Sequence, residues 1–237
     1  MRFARLIPTI ATVVAVAVFV AAGNWQGRRL AEKERLRAVF DAAVAQAAVP
    51  LPDSGTDWIA WRYRPVKLAG EYDSARQILI DNKVHAGRAG YHVVTPLKLV
   101  DGRVVLVDRG WVAAGVDRGH PPAAPAPAGV VVVVGRIAVP PAGYLEFGDR
   151  LAAGHVWQNL DPARFAAATG VPVLPVVVEE MAPAAGDGLV RERTAPDFGA
   201  DKHRIYRTQW YAFALLAAGL WAGFGLRTAI RRRGLRR

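Results

Sequence analysis

Two runs without a single charged residue, Leu6–Gly27 and Thr208–Leu226, stand at opposite ends of the chain and constrain everything between them. At about 1.5 Å of helical rise per residue they give roughly 33 Å and 28 Å of helix, each close to one bilayer core. Trp25 closes the first run, and Trp210 and Tyr211 lie near the start of the second. Amphipathic rings concentrate at such membrane–water boundaries. Two spans put both termini on one side and the long middle on the other.

A cleaved secretory signal is the rival reading of the first run, because Val20-Ala21-Ala22 offers small residues for cleavage. A cleavable apolar region normally extends only about 7–15 residues, so a retained helix is expected instead. The tail Arg227–Arg237 holds six arginines and no acid, whereas Glu32 and Glu34 dilute the basic cluster after the first run. The positive-inside rule therefore puts both ends in the cytoplasm. The expected order is a cytoplasmic N-terminus (1–5), transmembrane helix (6–27), periplasmic stalk and β-rich domain (28–207), second transmembrane helix (208–226) and basic cytoplasmic tail (227–237). This is an α+β membrane protein, a two-helix transmembrane hairpin flanking a β-rich extracytoplasmic domain with a short helix.

Between the spans, Arg28–Ala48 is alanine-rich and charged, so the first helix should leave the membrane as an amphipathic stalk that Pro50 and Pro52 stop. Strands are expected over Tyr63–Leu68, Ile78–Ile80, Tyr91–Leu99, Val104–Asp108, Val130–Val139 and Val173–Val178. Asp101-Gly102 is a two-residue hairpin signal. Asp161-Pro162 should cap a short helix running to Thr169, with Gly170 as its stop. The proline-rich Gly119–Gly129 and the Gly/Pro/Ala-rich Ala182–Gly199 read as loops.

The net charge of +11 raises nucleic acid as a partner. Much of that charge sits beside the spans, where it reads as a phospholipid anchor and excludes a soluble nucleic-acid binder. With no cysteine, disulfides and thiolate metal sites are excluded, and two methionines exclude a methionine-rich copper carrier. The soft ligands are His85, His92, His120, His155 and His203. No G-x-S-x-G elbow, H-E-x-x-H pair, phosphate loop or dinucleotide fingerprint occurs, so nothing nominates an enzyme.

Three polar–aromatic clusters remain. Trp25-Gln26-x-x-Arg29-x-x-x-Lys33 reads as an interface anchor of tryptophan and snorkelling cations, or as a cationic rim for an anionic ligand at the bilayer edge. Asp108-Arg109-Gly110-Trp111 reads as a strand-closing turn whose arginine pairs with an acid, or as a docking surface. His203-x-x-Tyr206-x-x-x-Trp210 places three rings on one helical face. That stripe is an aromatic belt with an incidental histidine, or an axial haem ligand whose porphyrin lies in the helix–helix groove with its propionates on Arg28, Arg29 or Arg204.

Six motifs in order resemble the Surfeit locus protein one family (Surf/Shy), assembly factors of cytochrome c oxidase. They are Gly23-Asn24-Trp25-Gln26-x-x-Arg29-x-x-x-Lys33, Tyr63-Arg64-Pro65-Val66-Lys67-x-x-Gly70-x-Tyr72, Gly90-Tyr91-x-Val93-Val94-Thr95-Pro96-Leu97, Val105–Val112, Val156–Asp161 and His203-x-x-Tyr206-x-x-x-Trp210-Tyr211. The resemblance implies a two-helix anchor, a domain outside the inner membrane, and a role in maturing oxidase subunit I alongside other oxidase assembly factors. It further implies haem a binding with His203 as iron ligand; on that reading Trp25 and Trp210 would flank the ring, Tyr206 would lie in the same stripe and Arg29 would pair with a propionate. A scaffold that steadies an oxidase intermediate without cofactor is the alternative. The chain departs from the family pattern at Asp108, where asparagine is expected, and at Gln209, where a small residue is expected. The residues before the first run lack the Arg/Ser-rich character of a transit peptide, which favours a bacterial inner membrane over a mitochondrion.

Overall fold

The computed structural model describes residues 3–115, 120–141, 143–144, 152–181, 186–193 and 195–234. Parts of both expected loops (residues 119, 182–185 and 194) and the last three tail residues lie outside that set. The chain resolves into two units, Phe40–Thr194 and the paired ends Met1–Val39 with Ala195–Arg237. In chain order the elements are α1 (Phe3–Val44), β1 (Val49–Pro50), β2 (Pro65–Tyr72), a 3-10 turn (Ser74–Arg76), β3 (Ile78–His85), β4 (Arg88–Leu99), β5 (Val104–Ala113), β6 (Val130–Ala138), β7 (Ala152–Ala153), β8 (Val156–Trp157), α2 (Pro162–Thr169), β9 (Val177–Glu180) and α3 (Ala200–Gly234).

The central unit is a closed barrel. Neighbouring strands run β2-β6-β9-β5-β4, and β4 returns to β2 through Gly70↔Leu99, Glu71↔Lys98 and Tyr72↔Leu97. Closure follows from the length of β4, whose one edge serves two partners in succession. Arg88–Gly90 and His92–Val94 pair with β3, and Leu97–Leu99 pair with β2. Pro96, which has no N–H to give, stands at the hand-over. The sheet continues outward from β4 through β3, β8 and β7.

Side-chain alternation assigns the two faces. Val66, Leu68, Leu97, Leu99, Val105, Val107, Val133, Ile137, Val176 and Val178 form one buried cluster, the barrel interior. Ile78, Ile80, Val94, Leu106, Trp157 and Val177 pack on the opposite face with Phe165 of α2. Strand β5 is thus buried on both sides, which is why Val104–Val107 is apolar without alternation. Each such side chain contributes roughly 1.5–3 kcal/mol on burial.

Helix α2 forms as its caps dictate. The Asp161 carboxylate accepts from the backbone N–H groups of Ala163 and Arg164, Pro162 occupies the first turn, and Gly170 ends the helix.

Strand β2 starts at Pro65 and runs through Gly70 to Tyr72, β4 starts three residues early at Arg88, and three further strand expectations need correction. Strand β3 does not stop at Ile80 but continues to His85 across an irregularity at Ile80/Lys83 that absorbs the left-handed Asn82. Strand β9 begins after Pro175 and takes in Glu179 and Glu180, whose charges are neutralised by Arg136 and Arg191. Strand β5 does not close at Asp108. It runs to Ala113, and Asp108-Arg109-Gly110 is an internal β-bulge: Val94 faces Asp108 and Val93 faces Gly110, leaving Arg109 as the extra residue. Gly110 sits at φ 141°, a conformation that favours glycine, and this turn-like backbone bends the ladder without ending it.

Candidate functional site

In the terminal unit, α1 and α3 run antiparallel as a hairpin. Both pass the length and apolarity required to cross a membrane, and only 6% of each apolar window is buried within the protein, as lipid-facing helices require. Contacts keep a steady register along the pair. Glu34 meets Arg204 at 3.0 Å, Gln26 meets His203, Asn24 meets Tyr211, Phe19 meets Trp210, and Thr9 accepts from the Trp221 indole N–H at 3.1 Å.

The facing stripes follow from helical spacing. The more buried positions of α3 are His203, Arg207, Trp210, Ala214 and Ala217, alternating by four and three. On α1 the corresponding positions include Phe19, Gly23, Gln26 and Gly27. Gly23 leaves room for a close approach, because a Cβ there would stand 2.7 Å from the Tyr211 ring. The ring can therefore lie across α1 and donate its hydroxyl to Asn24 Oδ1 at 2.8 Å.

His203 is partly buried on this inner face. Its Nδ1 is 2.6 Å from Oε1 of Gln26, itself only 8% exposed. With Oε1 of the amide facing the ring, the contact is made only if Nδ1 carries a hydrogen, which in a neutral imidazole leaves Nε2 with its lone pair. The remaining sequence candidates divide around this contact. Trp210 stacks on Phe19 with ring centres 5.8 Å apart and meets Phe213 edge-on at 6.0 Å. Tyr206 lies on the exposed flank of α3, so the expected single stripe contains His203 and Trp210 without it. Trp25 is also exposed, with the Arg29 guanidinium 6.0 Å from its ring centre. Arg29 holds Glu32 at 2.9 Å, and Arg204 holds Asp201 as well as Glu34.

Gln26 is the residue that sequence reasoning passed over as a candidate, although it sits inside the Trp25-Gln26 motif. The missing signal is a partner 177 positions away. Among the described residues no group of three or more His, Cys, Asp or Glu could hold a metal ion.

The central unit holds a second polar constellation, a cleft of about 170 Å³ lined by residues that include His85, His92, Trp111, Arg136, Glu192 and Arg193. His92 Nδ1 lies 2.6 Å from the Asp108 carboxylate, and Arg193 grips the same residue at its carboxylate (2.9 Å) and its carbonyl oxygen (2.7 Å). Burial pushes the Asp108 carboxyl up, but His92 and Arg193 overcome it and bring it to about 2. Burial likewise opposes the Arg193 charge, and Asp108 overrides it and raises the guanidinium. Arg136 bonds Glu179 in the same cleft. Both arginines on the wall hold carboxylates already, so the constellation joins the Gly186–Arg193 segment to the barrel and offers no open anion site.

Beside it, Arg109 is 1% exposed. It donates to the carbonyl oxygens of Ala124 and Pro125 at 3.0 Å, to Gln77 at 3.2 Å and to Asp187 at 3.1 Å, and lies over the Tyr72 ring. Of the two readings of this motif, pairing with an acid is what the structure shows. Docking through Arg109 is corrected, because a side chain so buried presents no surface.

Comparison with known proteins gives one decisive match. The model of the SURF1 family covers residues 13–215, nearly the whole chain. The chain belongs to the SURF1 family. Its curated relatives include the cytochrome oxidase assembly protein SHY1 of Saccharomyces cerevisiae, 34% identical over 94 residues, which are 38% of this chain and 24% of that protein. A SURF1-like protein of Rickettsia felis is 28% identical over 104 residues, 43% of this chain and 45% of its own length. Surfeit locus protein 1 of Mus musculus is 33% identical over 105 residues, 38% of this chain and 34% of the mouse protein. The chain thus spans less than half the length of these SURF1 relatives.

Proposed function

We propose that this chain is an assembly factor for the haem-copper terminal oxidase, cytochrome c oxidase, which binds haem a near the membrane interface and assists its insertion into, or retention by, subunit I. It acts as a binding protein and not as an enzyme. Its setting is a bacterial inner membrane, with the β domain in the periplasm and the basic tail in the cytoplasm. Membership of the SURF1 family supports the oxidase role, and SHY1 carries it in its name.

The observation that carries the haem reading is the His203–Gln26 contact. It fixes a histidine on the face between two apolar helices with one ring nitrogen free to act as a ligand, which is the donor chemistry haem iron takes. A bound haem a supplies an iron that accepts an imidazole nitrogen and an apolar macrocycle that suits a helix groove. Of this chain's residues, His203 would hold the iron and Trp210, on the same face, would flank the macrocycle, while the exposed Trp25 and Tyr206 would meet it only at the rim of the groove, where Arg29 would face a propionate. The Arg29–Glu32 pair is solvent-screened on the helix surface and held weakly, so Arg29 is cheaply redirected to another carboxylate.

A strain whose only copy carries His203→Ala is expected to build subunit I with a lower haem a content than wild type. The measurement is haem extraction and quantitation per purified subunit. Full haem a content in that strain would leave the chain as a scaffold that steadies the oxidase intermediate without touching cofactor.

A further inference from the structure

We infer that Gln26 is a positioning residue that holds His203 in its Nδ1–H tautomer, so that Nε2 is the nitrogen offered to a ligand. The tautomer claim stands on geometry alone, and its consequence for haem rests on the function proposed above.

Free neutral imidazole takes either tautomer, and a hydrogen bond to one nitrogen decides between them. Here the decision is built into the fold. Gln26 Oε1 stands 2.6 Å from His203 Nδ1. The glutamine is 8% exposed, so water does not replace it cheaply as acceptor. The helices bring the two residues together through contacts on either side: Glu34–Arg204 toward the stalk, and Asn24–Tyr211 and Phe19–Trp210 toward the apolar runs. The imidazole is thus oriented from the opposite helix. A group on α1 acts on a ligand carried by α3, so the ligand is complete only while the two helices are paired. An acceptor on the far nitrogen of a metal-binding imidazole fixes ring orientation and raises ligand basicity, and its loss typically costs about 10–100-fold in metal affinity.

The test uses the full chain in detergent or nanodiscs, labelled with 15N-histidine and free of haem, at about pH 8 where imidazole is neutral. His203→Ala assigns the His203 signal among the five histidines. The wild type is expected to show a protonated Nδ1 and a bare Nε2 at His203. Gln26→Leu is expected to shift that population toward Nε2–H, and Gln26→Glu, which keeps an acceptor oxygen, to retain Nδ1–H. A wild-type His203 already protonated at Nε2, or a population unchanged in Gln26→Leu, overturns the inference. With haem a added, Gln26→Leu is expected to weaken retention roughly 10–100-fold while Gln26→Glu does not. The haem reading fails separately, if His203→Ala binds haem a as wild type does; the tautomer result is independent of that outcome.

Discussion

Arg109→Ala is expected to destabilise the β domain more than any other single truncation, by about 3–5 kcal/mol. The side chain is 1% exposed and supplies donors to two backbone carbonyls, to Gln77 and to Asp187. Truncation leaves the Ala124 and Pro125 oxygens with a donor fewer and removes one of the two guanidinium groups that hold Asp187; Arg191 is the other. The same deletion opens a void beneath the Tyr72 ring, over which the guanidinium lies. For a domain of this size each kcal/mol shifts the melting temperature by about 2–4 °C, so a drop of roughly 10 °C is predicted. Thermal unfolding of the full chain, followed by hydrogen exchange in β4 and β5, reads it. Lysine at this position should rescue little, because its single ammonium cannot reproduce the planar fork.

Gly23→Leu carries the second large effect, and it falls on the helix pair. A Cβ at this position would lie 2.7 Å from the Tyr211 ring, and a leucine extends further into it. Either the ring swings out and loses its bond to Asn24, or the helices separate. Overpacking of this kind costs about 1–3 kcal/mol. In both cases the register that sets Gln26 against His203 is disturbed. Haem a retention is expected to fall roughly tenfold or more, with unchanged melting of the β domain. Titration of the purified variant beside wild type measures the first, and hydrogen exchange in the barrel the second.

The sequence makes some of this structure plain and hides the rest for definable reasons. The helices α1 and α3 are legible because a charge-free run of membrane length has few other fates, and α2 because Asp161, Pro162 and Gly170 mark its two ends locally. Strand β5 misleads, since Asp108-Arg109-Gly110 carries turn chemistry that serves a bulge inside a strand. Strand β9 misleads in the other direction: Val173–Val178 looks uniformly β, but Pro175 holds the ladder back, and two glutamates join it because Arg136, 43 positions from Glu179, and Arg191, 11 positions from Glu180, neutralise them. Barrel closure depends on β2 meeting β4, a pairing with no local signature. The candidate site divides the same way. His203 and Trp210 are visible from ring chemistry and spacing, while Tyr206 falls outside their shared face and Gln26 gains meaning only from a residue on the opposite helix.

The most direct test is the optical spectrum of the detergent-purified full chain produced in cells that make haem a. The wild type is expected to carry bound haem a with the absorption of an imidazole-ligated centre, and His203→Ala to lose that signature while its β domain melts unchanged. A His203→Ala protein with the wild-type haem spectrum, or a wild-type protein that binds none, would contradict the account.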